Sequence, residues 1–285
     1  VSDSMPVTGG LVVLLAATML TIGTGLTREA FTRLVRRPGA LAAALIVNVV
    51  VIPAVALLIV TVLGLQGPIG YGIVLAAAAP GGGTGALLAA HARGDLALAV
   101  GLQGALAVLG LAAVPAWSAL TSYGGAPAAT TGGPQVLGML AGQLIPLALG
   151  MALRSRHPTA ADRAAAISRR IADVLLVAMV AYLLATTADE LSALPVTAFA
   201  AFTALTTVCL AAYATPGLPD RPARRTVAMT TAVRNLSLAL LIANLTTHPA
   251  EVGLTVLAYG LVMYAACGLA LVAFRAVDRR LVSIT

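Results

Sequence analysis

The sequence predicts an all-α polytopic membrane protein with nine transmembrane helices, two of them interrupted near their midpoints. Three observations predict it. Of 285 residues 60% are hydrophobic and 9% charged, with a mean hydropathy of +0.99, so there is too little polar side chain to coat a soluble domain. The apolar residues gather into runs of about 20, the length that crosses a bilayer. The charges fall between those runs: all seventeen basic residues are arginine, and nine crossings put every one except Arg234 on a single side. By the positive-inside tendency that side is the cytoplasm, with the N-terminus outside, the C-terminus inside, and the cell (inner or plasma) membrane as the location.

Taken in order, residues 1–10 carry no basic leader and read as a short exposed tail at the mature N-terminus. The first span, 7–26, ends in a loop where Arg28, Arg33, Arg36 and Arg37 outweigh Glu29. A second span, 40–63, contains Asn48 and Pro53 and leads to the uncharged turn GLQGP outside. The third, 69–91, is broken by Pro80, Gly81, Gly82 and Gly83, a run that cannot hold an unstrained helix. The fourth, 95–120, carries Gln103 inside and Trp117 near its outer end, where belt residues belong. An uncharged loop, 121–134, precedes the fifth span, 135–153, in which Gly138 and Gly142 have GxxxG spacing. The longest basic loop, RSRHPTAADRAAAISRR, then leads to the sixth span, 171–187, which emerges at Asp189 and Glu190. The seventh, 195–213, returns to PDRPARR; the eighth, 226–245, holds Arg234; the ninth, 252–274, ends at RAVDRR.

Arg234 is the costly feature. A midspan arginine costs at least about 2.5 to 3.5 kcal/mol on insertion scales and does not escape by losing its proton. Thr230, Thr231 and Asn235 beside it weaken a helix and supply oxygens, so this span too reads as interrupted. Spans three and eight lie five elements apart in an alternating chain, the pattern of an inverted repeat. Secondary transporters build binding sites where two such broken helices meet, using half-helix ends and loosened backbone groups.

These residues also carry a family resemblance. APGGGTGALLAAHARGDLALAV at 79–100 resembles the PGG motif and following segment of the bile acid:sodium symporter family. TTAVRNLSLA at 230–239 resembles that family's second conserved segment, and Asn48 ahead of Pro53 extends the match. The resemblance implies a core domain with two crossed discontinuous helices and a smaller panel domain. On this chain the panel is 7–26 and 135–187, and the core is 40–120 and 195–274.

The departures from the family are the informative part. Where sodium-coupled members have Ser-Asn ligands after the PGG motif, this chain has Gly85 and Ala86. Their Ser and Thr ligands on the next helix fall on Ala99 and Gln103, the sodium-binding Glu on Thr230, and the Gln beside the motif Asn on Arg234. Asn48 holds the place of another Gln ligand, so one amide remains of two sites that need several hard oxygens. With two Na⁺ and one Glu, the family's loaded site carries 2 − 1 = +1; Arg234 without any ion also carries +1. The expectation is a carrier of a small organic anion, by uniport or exchange, with Arg234 standing in for sodium and no cofactor. Its anion site is expected at Arg234, Asn235, Thr230, Thr231, Gly82, Gly83, Thr84, Asn48 and Gln103, the threonine hydroxyls holding the guanidinium.

Plainer readings stand beside these. Arg234 can be a staple to backbone carbonyls, Asn235 a helix cap, and Asn48 and Gln103 interhelical hydrogen-bond glue. His91, His157 and His248 sit at span ends or in loops, and Asp173, near the basic end of its span, reads as pairing with Arg169 or Arg170 in preference to a proton relay. Cys209 and Cys267 lack metal-ligand spacing and read as buried thiols. No midspan acid or histidine stands beside a nucleophile, which argues against an enzyme. The net charge of +7 resides in the loops, so the partner is the lipid bilayer rather than nucleic acid. The chain is expected to be a monomer. Coupling to sodium or protons, or a ligand sensor on the same fold, are the competing readings.

Overall fold

The computed structural model describes residues 4–27, 30, 32, 35, 36, 38–121, 133–192 and 194–282. Arg28, Arg33 and Arg37 of the first loop, and most of the uncharged 121–134 loop, lie outside the described residues. Every regular element among those described is helical. In chain order these are α1 (Ser4–Gly25), α2 (Pro38–Ile46), a π turn (Val47–Val51), α3 (Ile52–Val62), α4 (Gly67–Ala78), α5 (Gly85–His91) and α6 (Leu96–Leu120). Then come α7 (Gly133–Arg156), α8 (Pro158–Ser192), α9 (Val196–Ala211) with a 3₁₀ turn (Ala212–Ala214), α10 (Arg221–Ala232), α11 (Leu236–Ala243) and α12 (Pro249–Val282). Five stretches of the described residues are long and apolar enough to cross a membrane: Pro38–Val62, Leu96–Leu120, Val196–Ala214, Arg221–Ala243 and Pro249–Arg279. Val12–Gly25 and Gly67–Ala78 are apolar but shorter.

Both expected interruptions are present. The first separates α4 from α5 at residues 79–84, and the second separates α10 from α11 at Val233, Arg234 and Asn235. The π turn has a local cause. Pro53 has no N–H to return to the Val49 carbonyl four residues earlier, and the Trp117 indole donates to that oxygen instead (2.9 Å). Trp117, expected as an interfacial residue, therefore repairs a helix defect.

Two sequence expectations change here. The basic stretch read as a loop between spans five and six is helical apart from a break at His157: its Ala and Arg residues are strong helix formers and Pro158 opens α8 at the position where a missing N–H costs nothing. Arg154 holds this corner, donating to the Thr24 carbonyl and pairing with Asp162 (2.7 Å). Gly142 of the GxxxG spacing is not at a close-packed contact within the chain, since a Cβ there would meet nothing within 4 Å. The close approach of α1 and α7 is made at Gly23 and Gly150 instead, where a Cβ on either would meet the other helix's backbone.

α1 packs chiefly against α7 and α8, joined also by a Thr21–Ser168 hydroxyl bond of 2.7 Å. α4 packs on α3 and α12, α5 on α10 and α6, and α9 on α3, α10 and α12. The interrupted helices α10 and α11 are buried along their described apolar length, which is why their breaks must be satisfied by protein atoms rather than by water.

Candidate functional site

The two interruptions touch. The Asn235 N–H donates to the Ala79 carbonyl (2.8 Å), so a backbone donor freed by one break satisfies an acceptor freed by the other. The glycine run makes this approach possible, each residue against a different neighbour. A Cβ on Gly81, which sits at φ +82°, would crowd the Ala107 backbone of α6; on Gly82 it would strike the Arg234 carbonyl; on Gly83 it would press on Thr18 of α1. Three consecutive positions thus require three different kinds of close contact, which explains a run no helix would tolerate.

Arg234 is 1% exposed, and its side chain leaves the interruption for the interior. Nη1 donates to Asn48 Oδ1 (3.2 Å), Nη2 faces Cys209 Sγ at 3.8 Å, and Nε has no hydrogen-bond partner. Asn48 lies in the π turn and is itself fully engaged: Nδ2 donates to the Thr231 hydroxyl (2.8 Å) and to the Ala44 carbonyl (2.9 Å). No carboxylate pairs with Arg234 among the described residues. The expectation that Thr230 and Thr231 hold the guanidinium is corrected. Thr230 turns back onto its own helix, donating to Thr226 and Val227 carbonyls at 2.8 and 3.2 Å, because a helical threonine finds the preceding turn before it reaches along the chain. Thr231 serves the guanidinium only at one remove, through Asn48.

Asn235 caps α11. Its Oδ1 accepts from Leu238 N–H (3.1 Å), while its Nδ2, buried and 2% exposed as a residue, has no partner. Thr84 shares a 2.8 Å hydroxyl bond with Tyr264 of α12. Gln103 is buried, yet neither its Oε1 nor its Nε2 is bonded. Its amide fills the space where a side chain at position 85 would stand, since a Cβ on Gly85 would collide with Nε2. Ala99 is buried on the same helix, one turn earlier.

A cavity of about 870 Å³ opens beside these residues. Gln103, Gly83 and Ala86 lie on one wall, Thr21 and Ile22 of α1 on another, and Arg154, Asp162 and Arg169 of α7 and α8 on a third. That volume falls in the range that encloses a small organic ligand. Gly83 also borders a second, small and partly open space of about 30 Å³, lined by Thr18, Gly82, Thr84, the exposed Asp173, Asn235 and Tyr264 among others. Neither cavity is bordered by Asn48, Thr230 or Thr231.

Two residues are misread from the sequence alone. Asp173 makes no ion pair with Arg169 or Arg170 among the described residues; it faces the smaller space beside the contact of the two breaks. Arg225, assigned to a cytoplasmic loop, is buried at the start of α10. It forms a two-pronged pair with Asp278 of α12 (2.6 and 3.0 Å), donates to the Ala92 carbonyl (3.1 Å), and stacks over Phe274 at 5.1 Å. The one sequence sign of that pair is a single acid, Asp278, within the basic stretch that ends the chain.

Comparison with known proteins adds one finding. The family model described as the Sodium Bile acid symporter family matches residues 12–194, which is more than half of the chain and ends before α9, so Arg234 lies beyond the match. No curated protein matches the chain.

Proposed function

The chain belongs to the sodium bile acid symporter family, a family of transporters, and from that premise we propose that it carries a small organic anion across a membrane by alternating access without sodium. The bond from Arg234 to Asn48 carries this reading. It joins a permanent cation to the one amide that remains of the family's sodium ligands, deep in the protein and with no carboxylate among the described residues to cancel its charge. The other donors do not fit sodium. Gly85, Ala86 and Ala99 offer no side-chain oxygen, and Asn48 Oδ1 already accepts from the guanidinium; the Thr230 hydroxyl, which gives its proton to its own helix, and the unbonded Gln103 Oε1 are too few for two sites that need several hard oxygens each. Arg234 then acts on the anion through its field and by holding the interruption in shape, rather than by touching it.

The architecture that goes with this reading is nine crossings in an inverted repeat, with the interrupted pairs α4/α5 and α10/α11 crossed inside a core domain. α1, α7 and α8 are its panel, as their mutual packing supports. The anion enters the large cavity between panel and core, and meets the unbonded Gln103 amide and the freed groups around Gly83 at its end. The cavity's lining sets Arg154 and Arg169 against Asp95, Asp162 and Asp220, with Arg154 paired to Asp162, and their side of the membrane is the cytoplasm.

Flux through liposomes holding the purified protein tests this. Labelled taurocholate, pyruvate and pantoate are offered in sodium and in choline media. Equal uptake of whichever is carried is expected, and tenfold stimulation by sodium overturns sodium independence. The converse is a rebuilt site: Arg234→Gln, Thr230→Glu, Gly85→Ser, Ala86→Asn and Gln103→Thr together introduce sodium-dependent binding. The last change is required by the structure, because Gln103 occupies the space of a residue-85 side chain.

A further inference from the structure

A second large hollow lies on the outer side of α1 and α8, away from the contact of the two breaks. It is an apolar groove of about 670 Å³, lined by Val13 of α1 and by Ile167, Arg170, Ile171, Val174 and Leu175 of α8 among others. Val13, Ile167, Ile171 and Val174 are between 43% and 62% exposed, so the described residues leave the groove open to the bilayer. One charge stands in it, that of Arg170.

The register of the two helices gives that charge a depth. α1 and α8 run antiparallel, since Thr21 bonds Ser168 (2.7 Å) while Leu14 and Ala17 pack with Ala172. Ser168 is thus level with Thr21, one turn short of the end of the apolar run of α1 at Gly25, and Arg170 lies two residues deeper, about 9 Å inside that end. A lipid-facing arginine at such a depth is costly unless its guanidinium leans to the interface and meets an anion there. Helical side chains lean toward the start of their helix, and α8 starts at Pro158, on the arginine-bearing side. Exposed Arg163 follows on the same face, two turns nearer that start, with Ile167 between them. Neither arginine pairs with a carboxylate among the described residues. α1 brings no charged residue to the groove, and Asp173 faces the smaller space on another flank of α8.

The geometry points to a binding site for one anionic phospholipid, drawn from the leaflet on the arginine-bearing side. Its phosphate accepts from Arg170, Arg163 supplies the second positive charge about 10 Å along the axis, and an acyl chain lies over Ile171, Val174 and Val13. Charge selects this occupant. A zwitterionic lipid brings its own ammonium and leaves two guanidinium charges unbalanced. A second copy of the chain, docked about a twofold axis, sets the arginines of one α8 against those of the other, with no acid on α1 to separate them. A net negative headgroup on an acyl chain answers both the arginines and the apolar floor.

Native mass spectrometry of the full chain, released from micelles that hold phosphatidylglycerol and phosphatidylcholine in equal amounts, tests the site. Wild type retains at least fivefold more phosphatidylglycerol, one molecule per chain, and this lipid raises its melting temperature by several degrees. Arg163→Gln with Arg170→Gln equalises the two lipids and removes the thermal gain, whereas Arg275→Gln, at an exposed position of α12, changes neither. Equal retention by wild type, selectivity that survives the double change, or a loss as large in Arg275→Gln overturns the proposal. So does a dimer that Val174→Glu separates, which would put a second copy in the groove.

Discussion

Two buried arginines, nine residues apart on one interrupted helix, are treated in opposite ways by the fold. Arg225, at the start of α10, has a two-pronged carboxylate in Asp278, a backbone carbonyl at Ala92 and the face of Phe274. Arg234, in the break that ends α10, has one amide oxygen and a thiol; Nε is unbonded in both arginines. The first charge is cancelled where it stands, and its effect is to clamp α10 to α12 and to the turn after α5. The second is left largely uncancelled, so its field extends beyond its contacts. On the proposed function, a charge with no carboxylate partner among the described residues is one whose electrostatics are used, which is what would separate a site from a clamp.

Exchange of each arginine for methionine gives the largest contrast. Arg225→Met strands Asp278 beside Arg93 alone (3.4 Å) and lowers the melting temperature by several degrees in a thermal-shift assay. Arg234→Met leaves the melting temperature within a few degrees of wild type, because the removal of a buried cation offsets the cost of leaving Asn48 Oδ1 without its donor, while anion flux falls at least tenfold. A loss of flux that only tracks a loss of stability in both variants would erase the distinction.

A smaller effect isolates the amide. Asn48→Leu removes the oxygen that Arg234 uses and costs about 1 to 3 kcal/mol, the penalty for a buried donor left without its acceptor. Adding Arg234→Met to Asn48→Leu returns most of that loss, since cation and acceptor are then both gone. Additive costs in this double-mutant cycle would mean that the two side chains are not coupled. Smallest is Cys209→Ser, which changes a 3.8 Å sulfur contact for a shorter hydroxyl and shifts stability by about 1 kcal/mol or less. A larger shift would make the thiol a principal partner of the guanidinium.

Much of this contrast was legible in one dimension for Arg234 and almost none of it for Arg225. A charge in the middle of an apolar run is visible because its neighbours are apolar, whereas Arg225 sits among Arg221 and Arg224, where a loop residue and a buried clamp look alike. Its partner Asp278 is brought to it only by the packing of α12 near α10. The same limit applies to Asp173, whose neighbouring arginines suggested local pairing, and to the threonines beside Arg234, whose hydroxyls turned to their own helix.

By itself the sequence determined the helical membrane class and the two breaks. Apolar run length and the backbone limits of proline and glycine act over a few residues and need no partner to take effect. Tertiary structure alone decided which wall Gln103 fills, where the guanidinium of Arg234 points, and that Asp173 meets the contact of the two breaks. Those outcomes depend on distances between residues that the chain separates by tens of positions, and a side chain's charge acquires its meaning only from what the fold brings within a few ångströms of it.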